Sequence, residues 1–134
     1  MLGAISFAQT SSPVLQQGFS VYQVTDEGAR FSCQSECLVV LDKFSGKDIL
    51  SIQGEIQGNG VLGYGFLVGQ QVIPGETMQI SSMMLRQEWL FSRAPYIAQI
   101  PKDAQIVLII QGSLQAEALR VDVRGLNFFQ KLPW

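Results

Sequence analysis

The sequence predicts an all-β protein, a two-sheet antiparallel β-sandwich with jelly-roll strand order, and three observations carry that expectation. Leu119, Val121 and Val123 fall on one face of an extended chain while Arg120, Asp122 and Arg124 fall on the other, the period-2 pattern of a half-buried strand. Residues 106–110 are apolar at every position, as in a strand covered on both faces at the centre of a sheet. Turn-forming residues recur at short intervals, with few segments of helical period and no internal repeat, so the chain reads as about nine short strands. Double-sheet jelly rolls use about eight strands and bury their edges.

With 134 residues the chain has the length of one domain with a real core. Residues 1–17 read as an N-terminal arm or the remnant of an export or anchor segment, and residues 18–134 as one sandwich domain. Charged residues make up 15% of the chain, against roughly 25% in average soluble domains. So few charges imply a surface covered in part by protein partners, glycans or membrane. A net charge of −2 supplies no basic field for phosphates, which argues against nucleic acid as a partner. The chain has no histidine, and that removes the usual general base, the Ser-His-Asp and Cys-His constellations and imidazole metal ligands. The adjacent carboxylates Asp26 and Glu27 stand beside Gly28, as solvated turn residues do. No enzyme activity and no cofactor are expected from such a set.

In chain order, MLGAISFA is a short apolar run without a basic region before it. Pro13 interrupts any ladder that would join it to the domain. The apolar side chains Leu2, Ile5 and Phe7 would each forgo about 1.5–3 kcal/mol in water. They are therefore expected in an assembly contact, together with Phe129 and Trp134 of the aromatic end FFQKLPW. Strands are expected from Gly18 onward, with turns at residues 26–28, 45–46, 58–60 and 74–75. Gly54 suggests a bulge. Gly63 and Gly65 leave bare the face opposite Leu62, Tyr64 and Phe66, so that a sheet, a ring or a sugar could approach. The stretch LRQEWLFSRAPYIAQ is the least regular and reads as a strand followed by a loop. A hairpin over residues 100–129 closes the fold, with a small-residue and polar turn between Ile110 and Leu119.

Cys33 and Cys37 lie in FSCQSEC. Without histidine or a second cysteine pair they cannot complete a four-ligand zinc site within one chain, and their spacing is not that of a redox CxxC. A disulfide is the preferred reading and two buried free thiols the alternative. An extended strand would hold these residues roughly 13 Å apart, so a bond requires a tight turn at Gln34-Ser35-Glu36. The bond would imply an oxidising, extracytoplasmic location, whether secreted, periplasmic or at the cell surface.

The segments VIPGETMQIS, IPKDAQIVLIIQ and LRVDVRGL are similar to the second half of galactose-binding-like jelly rolls, a fold of many carbohydrate-binding modules and cell-surface domains. The resemblance covers less than half of the chain. It implies a β-sandwich, a possible glycan ligand, and a structural calcium site to which Asp122 would contribute. The sequence departs from that pattern at Val123, where a second acidic residue often stands. Taken on its own chemistry, Asp122 reads as the ion-pair partner of Arg120 and Arg124, since calcium takes six to eight oxygens.

Two functions are expected. The first is assembly, as a non-enzymatic subunit or ectodomain of a cell-surface structure, self-associating or binding another surface protein, with membrane contact only through an upstream or N-terminal anchor. The alternative is glycan recognition through an aromatic loop formed by Glu88, Trp89, Phe91, Arg93 and Tyr96, which combine flat rings with polar groups. Against that alternative, Trp89 and Phe91 are also strong core candidates, because aromatic rings carry much of a small domain's burial energy.

Overall fold

The computed structural model describes residues 19–25, 28–45, 47–91 and 97–125. Leu2, Ile5, Phe7, Arg93, Tyr96, Phe129 and Trp134 lie outside them, as do residues 1–17 as a whole. The class is all-β. Strands β1 (Ser20–Gln23), β2 (Ala29–Cys33), β3 (Glu36–Lys43), β4 (Ile49–Val68), β5 (Gln71–Leu90) and β6 (Gln105–Arg124) follow one another along the chain, with a 3-10 turn at Ile97–Gln99 between β5 and β6. The hydrogen bonds join these strands into one six-stranded sheet of order β1-β3-β6-β4-β5, with β2 beside β3 on the same flank of β6. The strands are therefore fewer and longer than expected, and β1 runs parallel to β3.

The difference lies in three segments that look like turns. Residues 58–60, 74–75 and the stretch between Ile110 and Leu119 all sit inside twenty-residue strands, and the part of the expected hairpin from Gln105 to Arg124 is the single strand β6. Residues that permit a turn also permit a bend, and here they bend. Gly112 has φ +103° and Gly58 has φ +109°, a region that side chains with a Cβ rarely enter. A Cβ on Gly112 would lie 2.9 Å from the Asn59 carbonyl oxygen, so β4 and β6 pass too closely there for any other residue. Ser82 of β5, with φ +21°, accepts a hydrogen bond from the Gly58 N–H at its Oγ, 2.9 Å away. The change of direction between β4 and β5 is made not at residues 74–75 but at Gly69 and Gln70.

These bends line up. Cys33 and Cys37 are disulfide-bonded with their Cα atoms 6.0 Å apart, less than half of the extended span of about 13 Å. They stay in register with Leu114 and Ile110 of β6. Between those partners stands Gly112, whose N–H donates to the Ser35 carbonyl at 2.7 Å and which pairs with Gly60 of β4. A crease thus crosses the sheet from the disulfide through Gly112 and residues 58–60 to Ser82, and it brings the two halves of the sheet toward each other on one face.

That face is the core. Trp89 sits opposite Leu50 in the ladder, at the far end of β4 from Tyr64, yet the Trp89 and Tyr64 rings are 5.4 Å apart. Phe91 lies 5.0 Å from Tyr64 and 5.4 Å from Phe66, and Phe44 completes the cluster 5.1 Å from Phe66. Such contacts add about 0.5–1.5 kcal/mol per pair beyond burial itself. Ile106, Leu108 and Ile110 face this core, whereas Val107 and Ile109 join Phe19, Leu38, Val40 and Val72 in a second apolar cluster on the opposite face. Residues 106–110 are accordingly buried throughout, as their unbroken apolar run predicts. The face left bare by Gly63 and Gly65 is also filled from within, since a Cβ on Gly65 would lie 2.6 Å from the Ile109 side chain.

The crease yields a prediction. Gly112→Ala is expected to lower the unfolding free energy by about 1–3 kcal/mol, the range for a residue forced into a sparsely populated backbone region. A shift of the denaturant midpoint with unchanged slope measures it, and an unshifted midpoint would show that the bend tolerates a side chain.

Candidate functional site

The expected binding residues on β5 do not share a surface. Successive strand residues point to opposite faces, so Glu88 is exposed on the outer face while its neighbour Trp89 points inward and is 5% exposed. Phe91, 1% exposed, also lies in the core. Neither ring offers a flat face to a ligand, and the binding role expected of Trp89 and Phe91 gives way to a packing role. Arg93 and Tyr96 lie outside the described residues.

Glu88 instead belongs to a polar row across three strands. It stands opposite Ser51 of β4, which in turn stands opposite Asp122 of β6. The Ser51 hydroxyl donates to Glu88 Oε2 at 3.2 Å. Arg124 reaches both acids, with Nη2 3.4 Å from Glu88 Oε2 and Nε 3.5 Å from Asp122 Oδ2. The carboxylate of Asp122 is thus turned toward a guanidinium. Among the described residues no group of three or more His, Cys, Asp or Glu is placed to hold a metal ion. The ion pairs of Arg124 with Asp122 and Glu88 are exposed, each worth up to about 1 kcal/mol.

Two further side chains flank this row. Arg86 is exposed on the same outer face of β5, and the ion pairs formed among the described residues do not include it. Met84, two residues earlier on that face, is 69% exposed, more than any other large apolar side chain in the described part. Neither residue stands out in the sequence as a site candidate. The RQE triplet of residues 86–88 carries the signal, but it becomes meaningful only once β5 is known to lie at the margin of the sheet.

The outer surface of the crease carries a second polar feature. The Gln115 Nε2 donates to Gln57 Oε1 at 3.2 Å across β4 and β6. This amide pair borders an open depression of about 340 Å³ lined also by Ser32, Gln34, Ser82 and Ser113. Its groups are neutral hydrogen-bond donors and acceptors without a nucleophile–base pair among them, a set that can hold a polar ligand but brings no proton-transfer group of its own.

No family model matches this chain, and no curated protein matches it. Among solved structures it is similar to a β-glucosidase from Paenibacillus barengoltzii, with 10% sequence identity and a TM-score of 0.35. The match covers 90% of this chain and 13% of the enzyme's chain.

The opposite placement of neighbouring β5 residues is testable. Trp89→Ala is expected to destabilise the fold by about 3–5 kcal/mol, as truncation of a buried aromatic does. Glu88→Gln should change it by less than about 1 kcal/mol. Chemical denaturation of the two variants separates the roles, and near-equal losses would contradict the assignment of faces.

Proposed function

We propose that the chain works by protein assembly, as a non-enzymatic, extracytoplasmic subunit or ectodomain of a cell-surface structure. The observation that carries this reading is the outer strand β5. It pairs with β4 from Gln71 to Leu90 with breaks at residues 75–76 and 82, and among the described residues no strand lies on its other side. A long open edge of this kind is a template for strand addition. The low charge content of 15% and the exposed Met84 suit a surface that meets other protein. The Cys33–Cys37 bond suits an oxidising compartment. The apolar starting segment with Leu2, Ile5 and Phe7, and the aromatic end with Phe129 and Trp134, are further candidate contacts on this reading.

Sedimentation velocity over a range of protein concentrations tests the proposal. The full chain is expected to self-associate as concentration rises, and deletion of residues 1–17 should leave a folded domain that associates more weakly. A deletion that unfolds the domain would make those residues an integral part of it. A chain that stays monomeric throughout, and captures no surface protein from its own cell envelope, would remove the assembly reading.

Carbohydrate binding is the second reading, and the depression around Gln57 and Gln115 favours it, because amides and hydroxyls pair with vicinal sugar hydroxyls. A glycan array probed with the wild type and with Gln57→Ala/Gln115→Ala decides it. Binding lost in the variant supports the reading, and a blank array with the wild type removes it.

A further inference from the structure

We infer that two copies of this chain pair antiparallel through residues 84–90 of β5, in the register that centres on Gln87. The inference rests on the assembly reading and specifies its contact. The side of β5 away from β4, which carries no strand among the described residues, is not uniform along its length. Pro74 lacks an amide hydrogen, and Ser82 departs from strand geometry with φ +21°. Both features interrupt the pairing of an incoming strand. Beyond Ser82 the sequence MMLRQEWL continues to the end of β5 without proline or glycine, and its ladder with β4 is regular from Met83 to Leu90. This is the part of the edge that another strand can follow.

The outer-face side chains of this stretch are self-complementary. Antiparallel pairing about Gln87 places Arg86 of one copy opposite Glu88 of the other, and the reverse, so that one symmetric contact forms two identical ion pairs. Met84 then stands opposite Leu90, apolar against apolar. Opposite-charge and apolar cross-strand pairs stabilise a ladder, whereas like charges directly opposite each other oppose it. Sliding the register by two residues in either direction sets Arg86 or Glu88 against its own copy. Arg86 enters the contact without an ion pair to give up among the described residues. Glu88 holds Arg124 and Ser51 through Oε2, which leaves Oε1 for the partner's arginine. A ladder of seven residues buries less than the roughly 1,000 Å² of a stable interface, so the contact is weak and depends on concentration.

Paired charge reversals in the full chain test this contact. Arg86→Glu gives a copy with two acids on the edge and Glu88→Arg a copy with two bases. In sedimentation equilibrium up to about 1 mM, the range suited to weak association, each variant alone should self-associate about tenfold more weakly than the wild type or worse. Mixing the two should restore association, because each acid then faces a base. Gln87→Cys, whose thiols meet across the two-fold axis, should form a disulfide-linked dimer on mild oxidation in proportion to the associated fraction. Circular dichroism of each variant verifies that its fold is intact. A wild type that associates with an affinity unchanged by either reversal would overturn β5 pairing and leave the assembly reading standing. A wild type that is monomeric at the highest concentration would overturn the self-pairing, and the wider assembly reading would then stand or fall on capture of a different partner.

Discussion

The geometry of the whole molecule depends on the pinch between Cys33 and Cys37. A strand cannot hold two residues four positions apart at 6.0 Å and stay extended, so the backbone turns at Gln34 and Ser35. Because β2 and β3 both remain paired to β6 on either side of that turn, the bend is passed to the neighbouring strand. It continues across the sheet only where residues allow it: Gly112 on β6, Gly58 and Gly60 on β4, Ser82 on β5. The halves can then close over the rings of Phe44, Tyr64, Phe66, Trp89 and Phe91. Strand-forming residues at the crease would keep the sheet open and leave that aromatic cluster in water. By loop-entropy arguments so short a disulfide loop contributes only about 2 kcal/mol through the unfolded chain. Its larger structural effect is to set the place at which the sheet bends.

The sequence shows best what depends on local burial. The apolar run at residues 106–110 and the alternation at 119–124 are legible because burial on two faces or on one leaves a direct imprint on residue type. The number and length of strands are not legible in the same way. Glycine marks a backbone that must do something unusual, yet φ near +105° serves a turn and a crease equally well. What distinguishes them is the neighbouring strand, which lies far away in sequence: Gly112 is close to Asn59, and Gly58 to Ser82. Three long strands therefore look like six short ones, and a single folded sheet resembles the two sheets of a sandwich.

The candidate site follows the same division. A list of polar and aromatic residues from Glu88 to Tyr96 has the composition of a binding loop, but β5 continues through Leu90 and the alternation of a strand sends Glu88 and Trp89 to opposite faces. Residue type alone suggests a site, and the strand period divides it. The disulfide is more legible, since the absence of histidine and of further cysteines leaves few other uses for two thiols at this spacing. The ion pair between Asp122 and Arg124 is likewise readable from their alternation on one strand. That Glu88 shares the same arginine is not, because it needs the ordering of β6, β4 and β5 side by side.

Among the described residues the margins of the sheet are strongly unequal, and that inequality limits the kind of assembly these strand edges support. On one side the outermost strands are β1, with four residues, and β2, with five, and the crease separates the ladders that hold them. On the other side β5 is twenty residues long. Head-to-tail growth into a filament requires two different edges of matching length, one to give and one to receive. The short, broken margin at β1 and β2 cannot match the regular stretch at residues 83–90. A long edge without a complementary opposite edge is satisfied by a second copy of itself, and an antiparallel two-fold contact uses up both edges at once. The proposed pairing through β5 would therefore close at two copies, and any larger structure built from such dimers would have to draw on surfaces other than these strand edges.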